Sequence, residues 1–417
     1  MKEQPLLLRL PPRPSRRSQQ SQWVLENLAQ LPFAGILDFF LEPADGARWD
    51  CAFAGLAPYR KALRLGLRYP TDNDCHHAEG LHRNFMVDPM NPIFWALGIA
   101  VLLAVGLAAY LLTARKYESP ASVAKSYDEW TRDGILEFYW GEHIHLGHYG
   151  SPPQRKNFLQ AKHDFVHEMV RWGGLDRLPA GTTVLDVGCG IGGSCRILAR
   201  DYGFVVTGIT ISPQQVKRAQ ELTPPDLPVQ FQVADALDLP FPDASFDVVW
   251  SIEAGPHMPD KARYAQEMLR VLKPGGILVV ADWNQRDDRQ KPLNFWERLV
   301  MRQLLDQWSH PSFSSIEGFA EQLEATGLVA GRVETADWTQ ETLPSWLDSI
   351  WQGIVRPEGL LKFGLVGLIK SLREVPTFLL MRLAFGTGLC RFGMFRAVRA
   401  ATSADSTRTE VVAHSSQ

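Results

Sequence analysis

The sequence predicts an α/β fold in which a doubly wound, mostly parallel sheet carries helices on both of its faces. The first observation is a regular alternation of short β-branched segments with amphipathic segments between residues 183 and 282, because alternating units of this kind form parallel sheets. The second is a glycine-rich turn, GCGIGG, directly after the first of these segments. The third is an uncharged segment at residues 93–112, which predicts a transmembrane helix ahead of the sheet.

Composition restricts the class of protein further. The 417 residues are 45% hydrophobic and 21% charged, which is typical of globular domains and excludes a disordered chain, a collagen or a multi-span transporter. The formal net charge is −3, so we expect no nucleic-acid partner. The five cysteines are an odd number and lack zinc-binding spacing, which favours a reducing compartment over a disulfide scaffold.

The uncharged segment at residues 93–112 determines the expected relation to a membrane. As a helix it is about 30 Å long, the thickness of the hydrocarbon core of a bilayer; a buried core helix is the alternative. Basic residues are more numerous after the segment than before it: Arg115, Lys116, Lys125 and Arg132 follow, and Arg83 precedes. The positive-inside rule therefore predicts a single-pass membrane protein with the bulk of the chain on the cytoplasmic side.

Both ends of the chain lack periodicity. Residues 1–85 begin with a stretch rich in proline, arginine, serine and glutamine, and we expect a poorly structured extension there. Met86 stands shortly before the uncharged segment, and our hypothesis is that residues 1–85 come from an overextended reading frame. The polar residues 401–417 predict a disordered tail.

Residues 119–285 are expected to form the sheet domain together with an N-terminal lid. Ser119 followed by Pro120 predicts the start of a helix, and apolar residues at helical spacing predict another helix over 157–173. Strands are predicted at 183–187, 205–211, 229–232, 247–251 and 276–282. Helices are predicted between them at 193–202, 213–222 and 260–272. Right-handed crossovers turn this order into a doubly wound sheet.

Residues 286–400 are expected to form a helical substrate cap insertion and the C-terminal part of the same domain. The elements predicted within them are helices over 294–308 and 315–327, a strand over 331–338 and a last, antiparallel strand over 393–398. The stretch 345–389 is apolar and carries scattered lysines and arginines. We expect it to lie against lipid headgroups or to line a groove for an apolar tail; an ordinary core is the alternative.

The turn from Val184 to Ser194, VLDVGCGIGGS, is the strongest indication of a ligand site. Gly188 and Gly190 allow the backbone to approach a ligand closely, because no side chain intervenes. The same glycines also fit a dinucleotide fingerprint. Asp186, however, suits an ammonium group better than a pyrophosphate, and the second strand ends at Thr210 instead of an acidic residue. Two functional classes remain as alternatives for a chain with this turn: a dinucleotide-dependent oxidoreductase and a non-catalytic membrane scaffold.

The turn resembles the first motif of class I S-adenosylmethionine-dependent methyltransferases, which have a Rossmann-like fold. VADALDLPFPDASFDVVWS at 233–251 and LRVLKPGGIL at 269–278 resemble later motifs of that family. The resemblance implies S-adenosylmethionine as the cofactor. The residues that it assigns to the cofactor, from the methionine end through the ribose to the adenine, are Asp186, Gly188, Gly190, Thr210, Ile211, Gln215, Asp235, Ala236 and Ser251.

Segments outside the cofactor half indicate the methyl acceptor. FYWGEHIHLGHYG at 138–150 is expected to form a lid over the acceptor site. This segment, GITISPQQ at 208–215 and EAGPHMPDK at 253–261 resemble tocopherol methyltransferases, and ADWNQRDDRQ at 281–290 and LLDQWSHP at 304–311 support the match to their membrane-anchored cyanobacterial members. The resemblance implies ring C-methylation of a phytyl or solanyl hydroquinone in tocopherol and plastoquinone biosynthesis, at a thylakoid or plasma membrane. γ-Tocopherol is the alternative acceptor.

C-methylation benefits from a group that takes a proton from a ring hydroxyl, since electron density then reaches the ring carbon. His257 and Glu253 follow the fourth predicted strand, at the edge of the sheet where ligands bind in this fold. His145 in the lid is the third candidate. The three lid histidines have Glu142 as their one evident partner, so we expect no metal. The expected partners are a prenylated hydroquinone and membrane lipid.

Overall fold

A seven-stranded sheet with the order β3-β2-β1-β4-β5-β7-β6 forms the centre of the structure. The computed structural model describes residues 92–401. In chain order the strands are β1 (Thr183–Val187), β2 (Val205–Thr210), β3 (Val229–Val233), β4 (Phe246–Ile252), β5 (Leu272–Gln285), β6 (Glu334–Asp337) and β7 (Cys390–Val398). The first five pair in parallel, whereas β7 pairs antiparallel with β5 and β6. The predicted α/β fold with a mostly parallel sheet is confirmed.

Helices connect the strands and surround the sheet. They are α1 (Pro92–Leu112), α2 (Pro120–Asp133), α3 (Ile135–Trp140), α4 (Phe158–Gly173), α5 (Gly193–Tyr202), α6 (Pro213–Leu222), α7 (Lys261–Val271), α8 (Phe295–Gln307), α9 (Ile316–Ala325), α10 (Thr339–Thr342), α11 (Ser345–Val355) and α12 (Glu358–Gly386). The neighbours Val184 and Leu185 belong to different hydrophobic clusters. Because successive side chains of a strand point to opposite faces, the sheet is buried on both sides.

Local sequence explains where several of these elements begin and end. The Ser212 hydroxyl accepts a hydrogen bond from Gln215 N at 3.1 Å and caps α6, whose first residue is Pro213. Asp260 caps α7 in the same way, by accepting from Arg263 N at 2.8 Å. Strand β5 extends beyond its predicted range because β7 pairs with it along most of its length. The local periodicity of the sequence does not predict such pairing between distant segments.

Helix α1 occupies the segment that we predicted to cross a membrane. Among the residues that the structure describes, no helix is both long and apolar enough to span a bilayer, so the predicted transmembrane helix at 93–112 is not supported. That prediction depended on the length of the segment and on its lack of charged residues. The last turn of α1 contacts the domain: the Tyr110 hydroxyl lies 3.0 Å from Thr377 Oγ1, and Gln307 Nε2 donates to the Tyr110 carbonyl at 3.2 Å. The predictions for residues 1–85 and 402–417 lie outside the described residues.

The cap after β5 supports the lid segment. The stretch 345–389 forms α11 and α12, and α12 bends at Gly364, where the backbone leaves the helical region with φ 61° and ψ −163°. Gly147 N in the lid donates to Ser345 Oγ at 2.8 Å, and the Tyr149 hydroxyl donates to Asp348 at 2.6 Å. Helix α11 therefore holds the lid through Ser345 and Asp348.

Candidate active site

A cavity of about 130 Å³ lies at the carboxyl ends of β1, β2 and β4. The order of the strands reverses between β1 and β4, and ligands of doubly wound sheets bind at such a switch point. The glycine-rich turn after β1 and the turn after β4 form two of its walls. The lid and the first half of α2, through Val123 and Tyr127, form the others.

The glycines of the turn leave space that side chains would fill. Gly188 has φ +83°, and a Cβ atom there would lie only 2.4 Å from the Cβ atom of Ala254. Gly190 has φ +55°, and no protein atom lies within 4 Å of the position that its Cβ would take. Both backbones border the cavity. The turn thus has the close-approach geometry expected of a cofactor cradle.

Asp186 supplies a buried acid at the same end of the cavity. Its carboxylate accepts a hydrogen bond from Cys195 Sγ at 3.1 Å. Burial raises the pKa of Asp186 to about 7, and the hydrogen bond from Cys195 opposes that rise. A ligand with a positive charge would restore the ionised form. The ammonium group of S-adenosylmethionine fits this requirement, so the residues present suit the implied cofactor.

The remaining predicted cofactor residues divide into two groups. Five of them border the cavity: Thr210, Ile211, Gln215, Asp235 and Ala236. The Thr210 hydroxyl donates to Gln215 Oε1 at 2.6 Å, so it is already engaged with a neighbour. One oxygen of the exposed Asp235 accepts from Leu237 N at 2.9 Å, which orients the carboxylate.

The structure does not place Ser251 at the cavity. It is fully buried, its hydroxyl donates to the Val187 carbonyl at 2.7 Å, and it accepts from the Tyr264 hydroxyl at 2.8 Å. Ser251 therefore ties β4 to β1 and to α7 behind the cavity wall. The prediction that Ser251 contacts the cofactor is corrected. A position near the end of a strand does not determine whether a short side chain faces the cavity or the residues packed behind the cavity wall.

The lid brings His145 to the cavity but leaves it poorly suited to accept a proton. His145 Nδ1 lies 2.8 Å from the Leu146 carbonyl, and Nε2 lies 3.2 Å from His143 Nδ1. Burial lowers the pKa of His145 to about 3. The buried Lys162 of α4 stabilises this backbone, because its Nζ donates to the His143 carbonyl at 2.7 Å and lies 3.7 Å from the centre of the Trp140 ring.

Glu253 is the acid with the least satisfied carboxylate at the cavity. It has φ +55°, an unusual backbone conformation for a residue with a side chain. Its Oε1 accepts from Leu146 N at 2.8 Å. The buried Oε2 has no hydrogen bond of normal geometry within residues 92–401, but the Trp283 indole lies near enough to lower the pKa of this carboxyl. The residue borders the cavity, but this oxygen is shielded from solvent. Burial raises the pKa of Glu253 to about 8, against the opposing effects of Leu146 N–H and Lys162.

His257 belongs to a chain of contacting rings. Its Nε2 lies 2.8 Å from the Tyr127 hydroxyl, and the centre of its ring lies 4.2 Å from that of His310. Burial lowers the pKa of His257 to about 4 and lowers the pKa of His310 well below its ordinary value. Both imidazoles are therefore neutral at pH 7, and neither carries a charge that the surrounding residues would have to stabilise.

Unpartnered polar atoms collect around these rings. The buried atoms without a hydrogen bond of normal geometry to any described residue include Glu253 Oε2, His257 Nδ1, Trp283 Nε1 and both ring nitrogens of His310. The Pro256 carbonyl is near enough to affect the pKa of His310 but does not complete a hydrogen bond. Each unpaired buried group costs about 1–3 kcal/mol. Of the residues that carry these atoms, Glu253 and His257 border the cavity, so a ligand with hydroxyl groups would be placed to pair with these two.

Sequence reasoning missed Tyr127, Lys162, Trp283 and His310. Tyr127 lies in the predicted helix that follows Ser119, and His310 lies in the quoted segment LLDQWSHP, but neither pattern distinguishes them from ordinary packing residues. Tyr127 and His257 are 130 positions apart in the chain. Only the packing of α2 and the cap against the turn after β4 brings them together.

Comparisons with known proteins agree with this geometry. Residues 185–280 match the family model described as "Methyltransferase domain". The chain is 75% identical over 301 residues to the 2-methyl-6-phytyl-1,4-hydroquinone methyltransferase of Synechocystis sp., covering 72% of this chain and 95% of that protein. It is 34% identical over 301 residues to the chloroplastic tocopherol O-methyltransferase of Arabidopsis thaliana, covering 66% and 84%.

A solved structure shares the fold. A putative sarcosine dimethylglycine methyltransferase from Galdieria sulphuraria superposes with a TM-score of 0.56 at 22% identity, covering 64% of this chain and 98% of that one. The family model, the two relatives and the cradle formed by Asp186, Gly188 and Gly190 are mutually consistent. The chain therefore belongs to the tocopherol methyltransferase family of class I S-adenosylmethionine-dependent methyltransferases, and S-adenosylmethionine is its cofactor.

Proposed function

We propose that this methyltransferase adds a methyl group to the ring of a prenylated hydroquinone, either 2-methyl-6-phytyl-1,4-benzoquinol or its solanyl analogue. The extensive identity to the Synechocystis relative supports this acceptor class. The observation that carries the chemistry is Glu253: a buried carboxyl with a pKa of about 8 and an unpaired oxygen, beside the cofactor cavity. A hydroquinone offers the hydroxyl protons that such a base can accept.

Glu253 is the proposed general base. S-Adenosylmethionine, when bound, supplies an electrophilic methyl group. Glu253 Oε2 accepts the proton of a ring hydroxyl, and the electron pair on that oxygen increases the nucleophilicity of the ortho carbon. This carbon forms the new bond to the methyl group as the methyl–sulfur bond breaks and its electron pair goes to the sulfur. The ring then loses the hydrogen of the methylated carbon as a proton to solvent and becomes aromatic again, and Glu253 returns its proton to the ring oxygen. A base whose pKa lies near the working pH suits this transfer.

His257 and Tyr127 are proposed to orient the acceptor. The hydrogen bond between Tyr127 and His257 Nε2 fixes the imidazole. Nδ1 has no hydrogen bond of normal geometry to a described residue, although the Ser309 backbone is near enough to raise the pKa of His257. A neutral imidazole can exchange a hydrogen bond with a hydroxyl without the cost of burying a charge. His145, predicted as a third catalytic residue, has both nitrogens engaged, and we propose that it shapes the lid without taking the proton.

γ-Tocopherol is the second candidate acceptor. Identity to the Arabidopsis tocopherol O-methyltransferase favours it, but this identity is 34%, against 75% for the hydroquinone methyltransferase. A chromanol has one free hydroxyl and a second ring, so it would pair fewer of the unpartnered atoms of Glu253 and His257. A hydroquinone has two free hydroxyls and can therefore pair with more of these atoms than a chromanol can, which favours the hydroquinone as the acceptor.

We propose that the enzyme works at a membrane surface, on the cytoplasmic face of a thylakoid or plasma membrane. A phytyl or solanyl tail resides in lipid, so the acceptor has to be taken from a bilayer. Large apolar side chains on α8 and α12, each at least 64% exposed, are suited to contact lipid: Phe295, Trp296, Leu361, Leu365 and Val366. Exposed apolar area of this kind commonly marks a membrane or protein contact.

An assay with labelled S-adenosylmethionine tests the proposed acceptor directly. The full chain in detergent would be offered 2-methyl-6-phytyl-hydroquinone, its solanyl analogue and γ-tocopherol in competition. We expect the two hydroquinones to accept label on a ring carbon. Preferential methylation of γ-tocopherol would assign the chain to the second candidate function instead.

Liposome flotation tests the membrane proposal. We expect the wild-type chain to float with vesicles and Leu361→Glu to float less. Val205→Glu is a matched control, because Val205 is an exposed apolar residue at the start of β2, and it should behave like the wild type. Equal flotation of both variants and the wild type would contradict the proposed role of α12.

A further inference from the structure

Three side chains that the proposed reaction does not use lie together on the outer side of α4. His163 and His167 are one helical turn apart on α4, and Asp201 lies in the last turn of α5. Each offers one ligand atom, and these three atoms all lie within 4.8 Å of one another. The His167 Nε2 atom is 3.6 Å from Asp201 Oδ2, and the centres of the two imidazole rings are 4.7 Å apart.

The fold fixes this arrangement from behind. Residues four positions apart share one face of a helix. The opposite face of α4 is anchored by fully buried Phe165, Val166 and Met169, so the two histidines face outward with little freedom to rotate away. Tyr202, next to Asp201, contacts His167 and connects the end of α5 to α4.

The distances approach those of a tetrahedral metal site. Metal–nitrogen bonds of about 2.0–2.1 Å place tetrahedral ligand atoms about 3.3 Å apart, and the His167–Asp201 pair is close to that separation at 3.6 Å. Two imidazoles and one carboxylate, with water in the fourth position, form a donor set that zinc accepts. Small rotations of the side chains would bring the third atom into range.

Neighbouring groups prepare two of the ligands. His167 Nδ1 lies 2.7 Å from the Tyr202 hydroxyl; when Nδ1–H donates to that oxygen, Nε2 keeps its lone pair and faces Asp201, as in many metal-binding histidines. Asp201 Oδ1 accepts from Arg200 Nε at 3.2 Å, which leaves Oδ2 for the site.

The other charges around the site are largely paired with one another. Lys156 forms an ion pair with Asp164, and Arg171 forms one with Glu168. The carboxylate of Asp201 forms an ion pair with Arg200 through Oδ1 at 3.2 Å, and its Oδ2 lies 3.6 Å from His167 Nε2. A divalent cation would gain the attraction of this carboxylate.

We propose that His163, His167 and Asp201 form a binding site for a divalent transition-metal ion of the zinc type, which ties α4 to the end of α5. Lys162, the residue before His163 in α4, is fully buried and holds the lid backbone, whereas the site lies on the outer side of the helix. Our sequence reasoning expected no metal, because it considered the cysteine spacing, the N-terminal cysteines and histidines and the histidines of the lid, and not the residues of this cluster. This cluster joins residues of two helices, His167 and Asp201, that are 201 − 167 = 34 positions apart in the sequence.

Zinc titration calorimetry on the full chain, produced without a histidine tag and stripped with a chelator, tests the proposal. We compare the wild type with His163→Ala and Asp201→Asn. Asp238→Asn is a matched control, since the Asp238 side chain is 91% exposed and lies outside the cluster. Residues 75–77 are Cys, His and His and can also bind zinc, so the comparison among variants, and not the total number of bound ions, decides the result.

We expect each cluster variant to lose one zinc site or to weaken it at least about tenfold, the lower end of the cost of disturbing a group that orients a metal ligand. Zinc should raise the Tm of the wild type and of Asp238→Asn more than that of the two variants. Far-ultraviolet circular dichroism without metal checks that both variants fold. Titrations of the folded variants that match the wild type, or a wild type that binds no zinc, would overturn the proposal.

Discussion

Replacing Glu253 with glutamine isolates its proposed role as the base. The amide keeps the shape of the side chain, and its oxygen can still accept the hydrogen bond from Leu146 N, now 2.8 Å from Glu253 Oε1. It cannot take a proton from a hydroxyl. A positioned general base contributes about 10²–10⁴-fold to a rate, so we expect kcat to fall by about this factor while the affinity for S-adenosylmethionine changes little.

The pH dependence of the methylation rate tests the role of Glu253 more specifically than the loss of kcat does. With a pKa of about 8, about a tenth of the Glu253 side chains are ionised at pH 7 and about nine tenths at pH 9. The wild-type rate should therefore rise nearly tenfold over this interval, and the residual rate of Glu253→Gln should lack this rise. The assay is transfer of labelled methyl to 2-methyl-6-phytyl-hydroquinone in detergent, at saturating cofactor, from pH 6 to pH 10.

Stability changes with pH in the opposite direction. The pKa of Glu253 is higher in the folded protein than its ordinary value of 4.5, so the folded state binds more protons than the unfolded state between those two values. Stability from this group is full below pH 4.5 and is lost as the pH rises toward 8. Glu253→Gln should flatten that decline in chemical denaturation. A variant with wild-type kcat and an unchanged pH profile would refute the assignment of the base.

Three further predictions concern the same cavity. Asp186→Ala and Gly190→Val should each weaken S-adenosylmethionine binding, by removing the buried carboxylate or by filling the open space beside the turn; calorimetry that finds full affinity in both would contradict the cradle. Tyr127→Phe should lower kcat without loss of cofactor affinity, because His257 Nε2 loses its partner; unchanged turnover would exclude an orienting role. The hydroquinone should be preferred over γ-tocopherol by about 10–200-fold in kcat/KM, as for shape discrimination worth 1–3 kcal/mol, and a reversed ratio in competition assays would contradict this.

Local patterns in the sequence determined the sheet and its cofactor cradle. The bounds predicted for β1, α5 and α6 agree with the structure, since buried strands and capped helices are encoded within ten or so consecutive residues. The same holds for Gly188 and Gly190, whose positive φ values follow from a tight turn between a strand and a helix. Asp186 and Glu253 were found in this way, because both directly follow or end a predicted strand.

Contacts between distant segments decided the acceptor side. Tyr127, His257 and His310 come from α2, the turn after β4 and the loop after α8, and each occupies an unremarkable position in its own segment. The hydrophobic periodicity of a segment does not specify which residues from other segments pack against it. These neighbours decide whether His145 has a free nitrogen. They also decide whether Ser251 faces the cavity or the wall behind it. The sequence alone determined which elements form and where a ligand enters. Only the packing of the cap and the lid onto the sheet decided which polar atoms are left unpaired there, because burial and pairing are properties of residues that meet in space.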